Sequence, residues 1–307
     1  MGGYIGRRIA QGLIVIVAAI TISFALANVL GNPVDVVAGY NLSPQQRAQL
    51  VHAYGYDKPI AERYVTYVSK VSHGDFGQSL RNDDPAAQVV LHALPYTAVL
   101  VLGAILTACA VAIPVAIHSV LRRESRLDRV LRRGLALVQG VPEFWLALLL
   151  VLLFSVTLHW LPSIGASGVQ SLIMPVLALS LPLMSTIVRL VRSQLVDVLG
   201  MDFITALRAK GLTMREIVFH HAVRNSLAPF VTFLALQLGW LVGGTILVEN
   251  VFSWPGIGSL MVSATQVRDL TVIEACVVLV ATAYVVLNLL ADLAIAAIDP
   301  RVRVAAR

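Results

Sequence analysis

The sequence predicts an all-α membrane protein of six transmembrane helices, with both termini cytoplasmic and a small helical insert on the extracytoplasmic side. Three observations carry this. The 307 residues are 58% hydrophobic and 13% charged, against roughly 45–50% and about 25% for an average soluble domain. Apolar runs of the ~20 residues that cross ~30 Å of hydrocarbon recur along the chain. The basic residues are also asymmetric. With the N-terminus inside, most of the 23 Lys and Arg fall on cytoplasmic segments: Arg7 and Arg8, six arginines in 119–133, six Lys or Arg in 189–226, and Arg301, Arg303 and Arg307.

Residues 1–30 form the N-terminal segment and first span, with Arg7 and Arg8 ahead of an apolar run from Ile9 to Leu30. Ala25-Leu26-Ala27 offers a signal-peptide cleavage site, but the run exceeds the usual h-region of about 7–15 residues, so a retained span is expected. Residues 31–94 turn polar and form the outer insert. Ser43-Pro44-Gln45-Gln46 begins one helix and Gly55 stops it. Pro59 begins another, with Ile60, Tyr64, Tyr67, Val68 and Val71 on one face, and Gly74-Asp75-Phe76-Gly77 ends it.

Residues 95–300 are the transmembrane core. A second span covers about 96–118, within a stretch from Pro85 to Leu121 free of Asp, Glu, Lys and Arg. The third, about 134–158, carries Val141-Pro142-Glu143, which predicts a proline kink and an ionisable group at membrane depth. A fourth, about 172–195, is interrupted by Pro175 and Pro182, a fifth covers about 227–248, and a sixth covers about 272–298. Residues 301–307 are a cytoplasmic tail. Cys109 and Cys276 lie inside apolar runs and read as small buried hydrophobes.

The longest polar-punctuated stretch between two spans runs from Val198 to Phe230. Asp202 caps a short helix with Phe203, Ala206, Leu207 and Lys210 at three- and four-residue steps, and Gly211 supplies a left-handed stop. Thr213 and Glu216 make a capping box for a second helix that ends where it meets Pro229. Locally, this hairpin is either packing between spans or a grip for a partner.

Chemistry is constrained by what is missing. The three lysines, Lys58, Lys70 and Lys210, precede Pro, Val and Gly, so no Gly-rich loop ends in the Lys-Ser or Lys-Thr that neutralises nucleotide phosphates. His220-His221 lacks the spacing and the glutamate of a zinc protease helix. Glu143 is either a polar group of a transport path or a hydrogen-bonding residue at the kink. Asn288 and Asp292 lie one turn apart and read as bonds to a neighbouring helix or an inside arginine. Glu274 reads as solvated near the outer interface, and His118 and His159 as interfacial. Phe252, Trp254, Pro255 and Gly256 lie in a tight loop at the outer face that holds apolar side chains over a pathway mouth, as a gate or docking element.

The chain resembles the inner-membrane permease subunits of ATP-binding-cassette importers, in the dipeptide, oligopeptide and nickel branch, over nearly its whole length. Against the superfamily's coupling motif, EAA-x3-G-x9-I-x-LP, Gly211 is the motif glycine and Thr205, Ala206 and Leu207 hold the EAA positions. His221, Val223 and Arg224 depart from the I, L and P positions. The departures are themselves similar to the peptide branch: TALRAKGL here, followed by His221-Ala222-Val223-Arg224-Asn225. Further matches are Gly74-Asp75-Phe76-Gly77, Pro142-Glu143-Phe144-Trp145-Leu146, Glu249 through Gly258, and Asp292 followed by Asp299-Pro300-Arg301.

The resemblance implies a type I importer permease fold in the inner (plasma) membrane. It also implies a homologous second permease, two cytoplasmic ATPase subunits and an extracytoplasmic solute-binding protein. No cofactor is then held by this chain, since ATP and magnesium are used by the ATPases. The implied coupling residues are Asp202, Phe203, Thr205, Ala206, Leu207, Arg208, Lys210, Gly211, Leu212, His221, Arg224 and Asn225. Phe203 and Leu207 would fill an ATPase groove, and Arg208 and Lys210 would make rim contacts. The implied cargo is a di- or oligopeptide, with nickel, glutathione or another small solute as alternatives. An ion-coupled secondary transporter is the alternative from another class.

Overall fold

The computed structural model describes residues 2–30, 45, 49, 51–52, 57–79, 81, 84–122 and 125–298. Eleven helices organise these residues: α1 (Gly2–Leu30), α2 (Ile60–Ser72), α3 (Ala86–Leu121), α4 (Arg126–Gln139), α5 (Glu143–Leu150), α6 (Val169–Leu199), α7 (Asp202–Ala209), α8 (Met214–Glu216), α9 (Val223–Val251), α10 (Ile257–Gln266) and α11 (Leu270–Ile298). Two π-helical stretches, Val151–Thr157 and Ile217–Ala222, extend α5 and lead into α9. Five helices are long and apolar enough to cross a membrane, and six if α4 and α5 count as one broken span. Ser43, Pro44 and Gln46 of the expected helix start, the stop at Gly55, and Asp299-Pro300-Arg301 lie outside the described residues.

The helices fall into two compact units, one of residues 1–95 and 256–289, the other of residues 96–255 and 290–307. In the first, α1 and α2 pack together. The Phe24 ring lies 5.3 Å from that of Tyr64 and 5.5 Å from that of Tyr67, and Thr21 Oγ1 and the Tyr64 hydroxyl are 2.8 Å apart. Of the face expected on α2, Val71 is buried whereas Ile60 is exposed. Ser79 donates to Asp269 Oδ2 at 2.7 Å, tying the end of the insert to the start of α11.

Two readings in this unit change. Glu274 is half-buried beside Tyr67 instead of solvated. Burial first, and the Glu274 carboxyl second, push the Tyr67 phenol above its ordinary range. Asn288 donates to the Tyr284 carbonyl of its own helix at 3.0 Å, not to a neighbour. An amide one turn from a carbonyl of its own helix places one N–H there without a second helix.

The core of the second unit forms where α6 meets α4, α5 and α9. Helix α3 contributes a stripe of small residues at four-residue spacing, Ala104, Ala108, Ala112 and Ala116, all fully buried, which is how helices approach closely when apolar contact alone gives no advantage over lipid. Helix α3 runs 36 residues, about 54 Å at 1.5 Å per residue, well past the span expected at 96–118. Helix α6 runs unbroken through Pro175 and Pro182.

The largest departure from expectation is the third span. Instead of a kinked helix over 134–158, α4 and α5 meet at 106°. Gly140 and Val141 bond back to Leu137 and Val138 at 3.2 and 3.1 Å, closing α4 with tight turns. Pro142 has no N–H to continue the ladder and instead sits at the N-cap of α5. Helix α4 is strongly amphipathic, and its buried Asp128 accepts from Ser119, which in turn accepts from Arg192 Nε at 2.9 Å. Arg189, one turn earlier on α6, donates to Gln139 Oε1 at 3.2 Å. Two arginines counted among the cytoplasmic charges therefore tie α6 to the end of α4 directly and to its start through Ser119 of α3.

Candidate functional site

The hairpin between α6 and α9 folds largely as its residues dictate. Asp202 opens α7, but the N-cap is Met201 and carries no side-chain cap bond, so Asp202 acts from the first turn, where an acid suits the helix dipole. At the other end Gly211 takes φ +83°. Its N–H bonds to the Arg208 carbonyl at 2.9 Å, and the Leu212 N–H reaches the Leu207 carbonyl at 3.3 Å. This is the paired 5→2 and 6→1 closure of a Schellman motif, with Leu207 and Leu212 both half-buried.

Thr213 caps α8 as expected. Its Oγ1 accepts from the Glu216 N–H at 3.3 Å, and the Glu216 carboxylate accepts from the Thr213 N–H and hydroxyl at 2.8 and 2.7 Å. These donors hold the Glu216 carboxyl below its ordinary range.

The hairpin sorts its residues into an anchor and an open face. Ile204, Ile217, Val218 and Ala222 are buried. Asp202, Phe203, Thr205, Ala206, Arg208, Lys210 and Gly211 are exposed. Leu207, expected to project outward beside Phe203, is half-buried and so belongs partly to the anchor. Arg224 and Asn225 are exposed and His221 is half-buried. The second helix does not end at Pro229: α9 runs through it to Val251. The π-helical turn at Ile217–Ala222 holds one extra residue in the backbone just before α9, a local adjustment of the kind that lets helices in membrane proteins absorb an interior proline.

The loop expected over a pathway mouth packs its aromatic side chains into the second unit. Phe252 and Trp254 are 1% and 5% exposed. Trp254 Nε1 donates to the Tyr96 carbonyl at 3.1 Å, and its ring meets that of Tyr96 edge-on at 6.1 Å. The Phe252 carbonyl accepts from the Gly165 N–H at 2.9 Å. Ser253 holds the left-handed position at φ +47°, so that the Trp254 N–H reaches the Glu249 carbonyl at 2.8 Å. The two aromatic rings point inward because the helix-ending turn folds them back onto α9 and α3. Pro255 is exposed and Gly256 is the N-cap of α10.

Glu143 occupies the most unusual position. It opens α5 beside the 106° bend, its Oε1 is buried without a hydrogen-bond partner, and a Cβ at Gly244 would run into its Oε2. The carboxylate borders a cavity of about 290 Å³ that Gln139, Pro182, Thr186, Gln237 and Trp240 also line. Gln237, Gln139 and Trp240 were invisible as a group in the sequence, where Gln139 stands about a hundred residues from the other two. The available signal was a glutamine inside an apolar span. Among the described residues no group of three or more His, Cys, Asp or Glu is arranged to hold a metal ion.

Comparison with known proteins follows the same lines. Residues 104–304 match the model of the family described as binding-protein-dependent transport system inner membrane component. Similar proteins include the dipeptide transport system permease protein DppB of Escherichia coli K12, 34% identical with 98% of each chain covered. The oligopeptide transport system permease protein AppB of Bacillus subtilis is 32% identical over 98% of this chain and 99% of its own. The glutathione transport system permease protein GsiC of Salmonella choleraesuis is 35% identical over 99% of each. Among solved structures, a chain from inward-facing conformations of the MetNI methionine ABC transporter shares the fold with a TM-score of 0.56 at 17% identity, covering 69% of this chain and 97% of that one.

Proposed function

Because the chain belongs to the family of binding-protein-dependent transport system inner membrane components, we propose that it is the permease subunit of an ATP-driven importer of short peptides. The relatives' names span dipeptides, oligopeptides and glutathione. Glutathione is itself a tripeptide, so the shared cargo class is a peptide of a few residues.

In this reading the protein crosses the inner membrane six times, with α4 and α5 as one broken span, both termini and the 198–230 hairpin in the cytoplasm, and residues 31–94 outside. The chain is non-catalytic. A second permease subunit completes the path, an extracytoplasmic binding protein delivers the peptide, and two ATPase subunits hydrolyse ATP.

The α7–α8 hairpin carries the reading. An eight-residue helix that buries Ile204 while presenting Phe203, Arg208 and Lys210 to the outside is built to be gripped. Val218 and Ala222, in the π-helical turn that follows the hairpin, belong to the same apolar core as α6. A push on α7 is therefore delivered into the packed helices of that core, which respond as rigid bodies and not by local yielding.

Co-purification and reconstitution test this. Affinity purification of this chain from its host membrane should recover ATPase and second-permease subunits with it, and proteoliposomes should take up di- or tripeptides only with ATP and binding protein. Uptake by this chain alone, driven by an ion gradient, would replace the importer with a secondary transporter.

A further inference from the structure

We propose that the cavity at the α4–α5 bend is a subsite for the ammonium group of the cargo, with the Glu143 carboxylate as its counter-charge. The proposal rests on the reading of the chain as a peptide-importer permease and names a contact that the path would offer.

The chemistry of the lining selects the ligand. Glu143 lines the cavity and one of its carboxylate oxygens is buried without a partner, and an acidic group in an apolar helix bundle calls for a partner of opposite charge. Among the described residues, no Lys, Arg or His forms an ion pair with it. The nearby basic group on α6, Arg189, is engaged with Gln139 Oε1 instead.

The remaining lining suits one small cation. Thr186, also in the lining, donates its hydroxyl hydrogen to the Pro182 carbonyl at 3.3 Å and keeps acceptor capacity on its oxygen. Gln237 supplies an amide and Trp240 an indole to the same lining, among the apolar Leu179, Leu183 and Leu241. One carboxylate, two neutral acceptors and an indole match the three donors and compact charge of a primary ammonium. They match a transition metal poorly, since no histidine or cysteine lines the cavity. A volume of about 290 Å³ admits the end of a peptide and not a folded segment. Gly244 keeps the carboxylate in place, because any larger residue there would displace Glu143 Oε2.

The assembled importer, reconstituted with its binding protein and ATPases, gives a direct test. A water-soluble carbodiimide is added during turnover with three labelled peptides: Ala-Ala with a free amino terminus, its N-acetyl form, and N-acetyl-Lys-Ala. An amide adduct mapped to Glu143 with the first peptide assigns the site to the α-ammonium; the N-acetyl form, which has no amine to couple, controls for activation of Glu143 without capture. An adduct with the lysine peptide alone assigns it to a side-chain ammonium. The Glu143→Gln importer should form no adduct and lose about tenfold in uptake of whichever peptide couples, the scale of one charge-assisted contact. ATP-driven uptake of all three without an adduct at Glu143, or an unchanged rate in Glu143→Gln, overturns the subsite and leaves the importer intact. Absence of any ATP-driven peptide uptake overturns the importer reading itself.

Discussion

The Thr97 hydroxyl donates to Glu249 Oε1 at 2.7 Å across 152 residues of sequence, with both side chains buried. Thr97 lies on α3 and Glu249 one turn from the end of α9. The same glutamate accepts the Trp254 N–H on its main-chain carbonyl at 2.8 Å. One residue thus joins the two helices and closes the turn that tucks Phe252 and Trp254 inward.

Thr97→Val keeps the shape of the side chain and removes the donor. It should destabilise the chain by about 1–3 kcal/mol, the cost of withdrawing a hydrogen bond from a buried acceptor. Thr97→Ser should recover most of that. Denaturant midpoints of the purified complex in detergent measure the difference, and equal midpoints for Val and Ser would show that the pair carries no stability.

The hairpin was readable because its signals are local. Gly211 as a left-handed stop and Thr213 with Glu216 as a cap each depend on residues within a few positions, and backbone geometry decides them without the rest of the fold. The apolar spans were readable for the same reason. What could not be read is where a side chain points once helices pack. Phe252 and Trp254 were expected over a pathway mouth and are buried, and Arg189 and Arg192, counted as cytoplasmic charge, tie α6 to α4, the second through Ser119 of α3. The 106° bend required knowing that Gly140 and Val141 close α4 with tight turns, when Pro142 alone predicts a kink. The cavity around Glu143 draws on three segments separated by up to about a hundred residues, so only tertiary contact assembles it.

The capping box makes an acid-side prediction. Donors from Thr213 hold the Glu216 carboxyl below its ordinary range, about 4.3 in an unfolded chain. A depressed value in the folded state means the cap contributes fully above the unfolded value and is lost as pH falls through the folded one. An infrared titration, taken as wild type minus Glu216→Gln, should therefore give a midpoint below that of free glutamate. Thr213→Ala should return the midpoint upward; a midpoint already at the free value would remove the cap from the account.

Gly244 and Glu143 should behave as one unit. Gly244→Ala places a methyl group against the carboxylate, and overpacking of this kind costs about 1–3 kcal/mol. Combined with Glu143→Ala, which removes the obstacle, the same change should be nearly free. A double-mutant cycle on stability reads the coupling directly. Additive costs would mean that Glu143 swings clear without resistance.

Gly211 separates backbone strain from crowding. A Cβ at this position meets nothing within 4 Å, so any effect of substitution comes from φ +83°, a region that costs an ordinary L-residue about 1–2 kcal/mol. Asparagine tolerates that region better than other side chains, and valine worse because of its branched Cβ. If α7 transmits the stroke of the ATPases, Gly211→Asn should keep most of the substrate-stimulated ATP hydrolysis in liposomes. Gly211→Val should abolish the stimulation while the complex still assembles, because the Schellman closure through Leu207 and Leu212 that aims α7 is what the strain breaks. The ratio of stimulated to basal hydrolysis, measured on complexes of equal subunit content, decides the matter. Normal stimulation in the valine variant would reject the coupling role of the hairpin, and loss of assembly in both variants would make Gly211 a folding residue only.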